Sequence, residues 1–118
     1  MKYLCMIFDE EKKLANMSTS ESDAFMGEYG AFTQAIRASG QFVAGEALKP
    51  VSTATTVRVR NGKVSTTDGP FAETREQLGG FYLIEARDLN EAIQVAARIP
   101  SARTGSIEVR PVVVFDTP

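Results

Sequence analysis

The side chains that could do chemistry in this chain are carboxylates, tyrosines and one arginine on or beside predicted strands. Asp68 precedes a Gly-Pro pair, so a turn is expected to fix its carboxylate beside a sheet. Glu46 interrupts an apolar strand, and Tyr29 lies on a predicted helix. In a water-poor pocket the two carboxylates would suit general acid–base work. We therefore predict Asp68 as the candidate catalytic acid, and as ligand-binding residues Tyr29, Glu46, Arg58 and Tyr82.

Each of these residues also has a purely structural interpretation. Asp68 can serve its turn by accepting hydrogen bonds from nearby backbone amides. Glu46 can reach water or a salt bridge from its strand, and Arg58 can belong to a solvated face. Tyr29 and Tyr82 can be core or interface aromatics with a hydroxyl at the edge. The residue types alone leave both interpretations open.

The chemistry missing from the sequence narrows the classes of reaction. The chain contains no histidine, which excludes Ser-His-Asp and Cys-His nucleophilic systems and the usual transition-metal ligand. No loop of alternating Asp/Asn ligands and no Gly-rich phosphate-binding motif occurs. We therefore expect no metal and no cofactor, and only proton transfer or lyase-type chemistry. The lone cysteine, Cys5, lies in an apolar strand and is interpreted as an inert buried thiol.

Charge and composition argue against direct nucleic-acid binding and against a membrane location. The net charge is −2, with a pI of about 5.2. The basic cluster of Arg58, Arg60 and Lys63 is too small for a phosphate-binding face, although it could recruit an anionic ligand. No apolar run approaches the roughly 20 residues that span a bilayer. Residues 1–8 are too short for a signal peptide, so we expect a cytoplasmic protein.

The sequence predicts two helices and at least four strands in the order β-α-β-β(β)-β-α-β. The first helix begins at Ser18, where Glu21 completes a capping box, and ends at Gly40. A pair of residues typical of a type I′ turn, Asn61-Gly62, predicts a hairpin. The other predicted elements are strands at 2–8, 41–48, 55–60, 63–66, 80–86 and 106–115, a helical turn at 73–78, and a second helix from Asp88 to just before Pro100.

This order predicts an α+β ferredoxin-like sandwich, an antiparallel sheet with two helices on one face, in a single domain of residues 1–118. A sheet with one wet face should alternate apolar and polar residues. The first strand does not, since Leu4 and Met6 point one way while Cys5 and Ile7 point the other. Two helices cover only one face, so a second copy of the sheet is the economical cover for the other. We predict a stable homodimer.

The segment Asp68-Gly69-Pro70-Phe71-Ala72-Glu73-Thr74, followed by residues 76–84, closely resembles the signature of bacterial DGPF-domain proteins of the YCII-related family. The resemblance extends over nearly the whole chain and implies a ferredoxin-like fold that dimerises as an α+β barrel. Many DGPF relatives are associated with genes for extracytoplasmic-function sigma factors. Some YCII-type relatives are associated with a His–Asp pair, and one is linked to dechlorination of a hydroxylated aromatic. The corresponding positions here hold Tyr29 and Ala38, so that enzymatic route does not carry over.

Two functions from different classes follow. In the first, an uncharacterised dimeric YCII-related protein binds or acts on a small molecule in a pocket between the first helix, the sheet and the Asp68 turn. In the second, it is a non-catalytic regulatory partner linked to an extracytoplasmic-function sigma factor. Whether the protein is an enzyme stays open on the sequence.

Overall fold

A computed structural model of the chain describes residues 1–116. Its elements lie close to the predicted ones, with two short helices added. The strands are β1 Lys2–Asp9, β2 Phe42–Ala47, β3 Thr55–Arg60, β4 Lys63–Asp68, β5 Gln77–Glu85 and β6 Ser106–Pro111. The helices are α1 Glu11–Ala15, α2 Thr19–Ala38, α3 Leu89–Ala96 and α4 Ser101–Thr104, and a 3-10 turn spans Val51–Thr53.

Four strands form an antiparallel sheet in the order β2-β5-β1-β6. This is the strand order of a ferredoxin-like sandwich, so the predicted fold class is confirmed. The predicted hairpin is confirmed too, but it lies outside this sheet. Strands β3 and β4 pair only with each other in the part of the chain that the structure describes. We call this ribbon, Thr55–Asp68, the arm.

The ends of the longest helix and the tip of the arm follow from local chemistry. The Ser18 side chain accepts a bond from the Glu21 amide, and the Glu21 carboxylate accepts one from the Ser18 amide, which confirms the capping box. Gly40 has a φ of +77°, a left-handed conformation that lets the chain leave α2 at low cost. Asn61 and Gly62 also have positive φ, as a type I′ turn requires.

The helices pack on one face of the four-stranded sheet, which we call the covered face. Side chains of β1 alternate, with Tyr3, Cys5 and Ile7 buried and their neighbours half-buried. Ile84 of β5 is fully buried beside them. The helical contribution to this core is Phe32 and Ile36 of α2 and Ala92, Val95 and Ala96 of α3.

The opposite face of the sheet, the open face, is also apolar at its centre. Leu4, Met6 and Phe8 of β1 lie beside Phe81 and Leu83 of β5 and are only half-buried. Towards the edges this face turns polar: β2 adds Glu46, paired with Phe81, and β6 adds Glu108 and Arg110. The apolar pattern predicted for both faces of the first strand is therefore present.

The expectations for three segments were wrong. Residues 73–78 do not form a helical turn, because β5 already begins at Gln77 and the preceding residues run as an irregular loop. Residues 9–17, for which no helix was predicted, contain α1. The last strand ends at Pro111, since its partner β1 runs out there: Pro111 pairs with Tyr3, and only one further bond, from the Val112 amide to the Lys2 carbonyl, follows. Among residues 1–116, no helix is long and apolar enough to cross a membrane.

Candidate functional site

Polar groups from several elements converge at the carboxyl end of β1. Asp9, the last residue of the strand, is only 6% exposed although the strand before it is apolar. The Thr104 hydroxyl donates a hydrogen bond to Asp9 Oδ1 at 2.7 Å. Buried carboxylates are rare in proteins unless they are hydrogen-bonded or functional. Asp9 is therefore the first residue to consider at a site.

Gly105 explains how α4 comes close enough to reach this carboxylate. A Cβ atom added to Gly105 would lie 2.0 Å from the Phe8 carbonyl oxygen and 2.6 Å from Asp9 Oδ1. The chain entering β6 therefore touches the end of β1 backbone to backbone, and only glycine allows that approach. The same contact places Thr104 over Asp9.

Tyrosine and serine hydroxyls continue the polar group along the covered face. The Tyr29 hydroxyl donates to Ser101 Oγ at 2.5 Å, and Ser101 is 2% exposed. Thr33 Oγ1 donates to the Tyr29 carbonyl at 2.9 Å and lies 2.6 Å from the Tyr82 hydroxyl, which then acts as the donor. The group formed by Asp9, Tyr29, Ser101 and Thr104, supported by Thr33 and Tyr82, is called the polar cluster.

The electrostatics of the polar cluster keep Tyr29 protonated. Burial raises the pKa of the Tyr29 phenol above its ordinary value of 10.0, the hydrogen bond with Ser101 opposes the shift, and the negative charge of Asp9 adds to it. At neutral pH the phenol is therefore a hydrogen-bond donor and not a base. Asp9 is the acceptor of the group.

Two shallow depressions flank the end of β1. One, of about 420 Å³, opens on the open face and is lined by Phe8, Thr74, Glu76, Ser106, Ile107 and Glu108. The other, of about 440 Å³, is lined by Glu10, Glu11, Lys12, Val51, Thr74, Arg75 and Gln77. Thr74 belongs to both, so the loop of residues 69–76, which carries the DGPF-like segment and which we call the signature loop, separates them. The loop is held to the body by the Arg75 guanidinium, 2.9 Å from Glu10 Oε1.

The structure distributes the five predicted site residues over three places. Tyr29 and Tyr82 are brought together in the polar cluster. Glu46 lies on the open face, paired with Phe81 and exposed. Arg58 and Asp68 are exposed on the arm, Asp68 as the last residue of β4. Within one copy of the chain, the last three do not join the two tyrosines.

Three residues of the polar cluster were not predicted from the sequence: Asp9, Ser101 and Thr104. Asp9 lies just beyond the strand predicted at residues 2–8, and this position was a usable signal, because a carboxylate at the end of an apolar strand lies at the edge of the core. Nothing in the sequence around Ser101 and Thr104 pointed to a site. Their role depends on a short helix, α4, that was not predicted.

The cluster pairs a carboxylate acceptor with a protonated phenol. Such a pair can accept a proton from one ligand atom and donate a hydrogen bond to another. In the described part of the chain, no group of three or more acidic or cysteine side chains could hold a metal ion.

Comparisons with known proteins identify the family to which the chain belongs. The sequence model of the YCII-related domain matches residues 1–116. An uncharacterised protein of Rhizobium meliloti (strain 1021), R00369, is 35% identical over 117 residues, which are 98% of this chain and 94% of that protein. A solved structure is similar in fold at 15% identity, with a TM-score of 0.55, covering 96% of this chain and 94% of that one. It is the 5-chloro-2-hydroxyhydroquinone dehydrochlorinase of Burkholderia phenoliruptrix AC1100 in complex with 2,5-dihydroxybenzoquinone. The extent of the first two matches establishes that this chain belongs to the YCII-related domain family.

Proposed function

We propose that the protein is a homodimer that binds a small hydroxylated molecule at the carboxyl end of β1. In this proposal Asp9 accepts a proton or hydrogen bond from a ligand hydroxyl, and the Tyr29 hydroxyl, which donates to Ser101 in the chain alone, turns its O–H to a ligand oxygen. The observation that carries the proposal is the convergence of a buried carboxylate and a protonated phenol at the end of β1, where the neighbours of Asp9, Phe8 and Glu10, each line a depression. The rest of the covered face is apolar, so these polar groups are unusual in their place.

The charges of the polar cluster favour a neutral ligand. Asp9, Tyr29, Ser101 and Thr104 include a carboxylate and three hydroxyls but no cation. A carboxylate without a cationic neighbour in its own cluster repels anions and attracts hydroxyl donors. Neutral phenols and hydroquinones meet this requirement. The structural neighbour's action on a chlorinated hydroxyhydroquinone supports the same ligand class.

The chemistry that follows is proton transfer. Asp9 takes the proton of a ring hydroxyl, and the negative charge that develops on the ring oxygens is stabilised by the Tyr29 hydroxyl. Thr33 and Tyr82 act as positioning residues, because Thr33 bonds the Tyr29 backbone and Tyr82 bonds Thr33. No histidine is required in this scheme, which fits a chain that has none.

The homodimer forms through the open face. The centre of that face is apolar and half-exposed, and a second copy related by a two-fold axis would cover it with the same residues. The depression lined by Phe8, Ser106 and Glu108 lies on this face. The second copy would therefore close it. Glu46 would then lie within the interface, and Arg58 and Asp68 would join a site only as residues of the partner copy.

A regulatory role without catalysis is the second candidate, as a partner of an extracytoplasmic-function sigma factor. The observation that favours it is the exposed arm, which is a ready docking element. In that case the polar cluster would be a structural hydrogen-bond network, and its variants would change stability but bind no ligand.

Calorimetric titration with 2-hydroxyhydroquinone under exclusion of oxygen tests the first candidate. The wild-type protein should bind, and Asp9→Asn and Tyr29→Phe should each weaken binding by about tenfold or more, the loss expected for one strong hydrogen bond. The matched controls are Asp23→Asn, an exposed acid of α2, and Tyr3→Phe, whose hydroxyl contacts only the Met1 sulfur among residues 1–116. Absence of binding by the wild type, or equal binding by Asp9→Asn, contradicts the proposal. The Asp68→Asn variant decides whether the acid of the signature segment takes part.

A further inference from the structure

The arm is a β-ribbon with two different faces. Strand pairing places Val57, Val59 and Val64 on one face, with exposures of 60%, 56% and 70%. We call this the valine face. The other face carries Arg58, Arg60 and Lys63, each exposed. The arm is therefore amphipathic, and its apolar side faces solvent in a single copy.

The pairing of its two strands is not enough to make the arm stable. An isolated two-stranded hairpin is marginally stable at best in water. The arm joins neither edge of the larger sheet in the described residues, and every residue of β4 is exposed. Its attachment is at the base, where the Gly69 amide bonds the Ala54 carbonyl and the Val51 amide bonds the Glu11 carboxylate. Some other surface must cover the valine face.

The dimensions of the molecule indicate how the arm is held relative to the sheet. The radius of gyration is 16.5 Å, whereas a compact chain of this length has about 13.5 Å. The extents are 51 × 48 × 18 Å, so the thickness is that of one sheet and one helix layer. The arm therefore projects sideways from the sheet, beyond its edge. Held in this way it can overlap a second copy that lies against the open face.

We infer that the valine face of the arm docks on a second copy of this chain, next to the open-face contact, so that each copy is clasped by the arm of the other. The inference rests on the proposed homodimer. It concerns a different surface, because the interface of the proposed homodimer consists of the open face alone.

The area of the open face supports this inference. Four strands, each contributing about six residues, cover about 19 × 20 Å, or about 400 Å². Stable complexes bury about 800 Å² on each partner. One side of the arm, two strands wide and six residues long, adds about 200 Å², and receiving the partner's arm adds as much again. The two surfaces together reach the size that a stable dimer needs.

Charge also favours a second copy as the occupant. The arm carries three cationic side chains, and the open face carries Glu46 and Glu108 towards its edges, Glu108 being already paired with Arg110 at 2.7 Å. Glu46 has no ion pair among residues 1–116. Long basic side chains at the rim of the arm can reach such carboxylates across an interface. The same chain therefore supplies both the apolar and the charged complement.

Docking of the arm would also fix the candidate site. The signature loop follows β4 directly and borders both depressions through Thr74. A docked arm would hold the first residues of this loop in place. Each copy would therefore help to shape the candidate site of the other.

Sedimentation measurements on a triple variant, Val57→Thr/Val59→Thr/Val64→Thr, test the inference. Threonine keeps the β-branched shape that suits a strand but removes the apolar contact. We expect the dissociation constant of the dimer to rise by about 100-fold or more, since three buried valines are lost. The matched control, Arg58→Gln/Arg60→Gln/Lys63→Gln on the opposite face, should change it by less than about tenfold, because charges at a rim contribute little.

The outcomes separate this inference from the homodimer. A monomeric wild type overturns both. If the wild type is a dimer and the valine variant has the same dissociation constant, the arm inference alone is overturned. The arm would then be free for a different partner. If the valine variant fails to fold, a mixed sample decides, in which one copy carries labelled valine methyls and the other labelled leucine and methionine methyls. Intermolecular contacts between the arm valines and leucine or methionine methyls of the other copy support the inference, and their absence overturns it.

Discussion

The two faces of the four-stranded sheet are both apolar, but the chain completes only one of them. On the covered face, Cys5 and Ile84 are fully buried and the polar side chains among them are hydrogen-bonded. On the open face, residues of the same strands, such as Met6 and Leu83, remain half-exposed. The strand sequences set how much apolar surface each face of the sheet presents. The number of helices sets how much of that surface the chain itself can cover.

Neighbouring residues of β5 give the sharpest test of that difference. Ile84→Ala removes a fully buried side chain from the covered face and should lower the free energy of unfolding by about 2–5 kcal/mol. Leu83→Ala, one residue away on the open face, should cost the single copy less than about 1 kcal/mol, because the side chain is already half in water. Urea unfolding at high and low protein concentration measures both.

Concentration dependence distinguishes the two residues further. The loss caused by Ile84→Ala should be the same at every protein concentration, since the contact lies within one copy. The loss caused by Leu83→Ala should grow with concentration, because only the dimer buries that side chain. If neither loss changed with protein concentration, the two faces would not differ as described.

Gly105 tests how tightly the polar cluster is built into the covered face. Gly105→Ala forces a methyl group against the Phe8 carbonyl and the Asp9 carboxylate, and should lower the free energy of unfolding by about 1–3 kcal/mol. Gly27→Ala is the control. This glycine lies within α2 with nothing within 4 Å of an added Cβ, so the change should raise stability by about 0.5–1 kcal/mol. If Gly105→Ala left the free energy of unfolding unchanged in thermal or urea unfolding, Thr104 and Asp9 would not be held by close packing.

Alkaline pH probes the covered face alone. Burial raises the pKa of the Cys5 thiol from 9.0 to about 11, and burial likewise raises that of Tyr29 above 10.0. Each group holds its proton more tightly when folded, so its contribution to stability is complete below the unfolded pKa and is lost as pH rises through the folded one. Stability should therefore begin to fall near pH 9.

Variants at the two positions assign this alkaline loss. Cys5→Ala should remove the part of the decline that begins near pH 9, and Tyr29→Phe the part that begins near pH 10. The slope of the unfolding midpoint against pH, measured between pH 7.5 and 11, is the quantity to compare. Unchanged slopes in both variants would show that neither group is buried in solution as it is in the structure.

Most of the fold could be predicted because its signals are local. The capping box at Ser18, the stop at Gly40 and the Asn61-Gly62 turn each act within a few residues, and all three were confirmed. The helical turn predicted at residues 73–78 was wrong for a related reason. Its local propensity was overridden by the pairing of Gln77 with Asp9 on a distant strand.

The candidate site was harder to predict because it depends on contacts between distant parts of the chain. Tyr29 was predicted because an aromatic hydroxyl on a predicted helix is visible in the sequence, and its role in ligand binding stays a prediction. Ser101 and Thr104 were not, because their meaning comes from α4 crossing the end of β1, more than 90 residues away for Thr104 and Asp9. The prediction that Asp68 faces a pocket stays a prediction, and its place on the arm makes it depend on a second copy.

The mass of the wild-type chain in solution tests the central claim most directly, namely that a second copy completes the open face. Light scattering at micromolar concentration should give twice the chain mass of 12.8 kDa, and Leu83→Glu, which places a charge at the centre of the open face, should reduce it to that of a single chain. A wild type that scatters as one chain, or a Leu83→Glu variant that stays dimeric, would contradict the account.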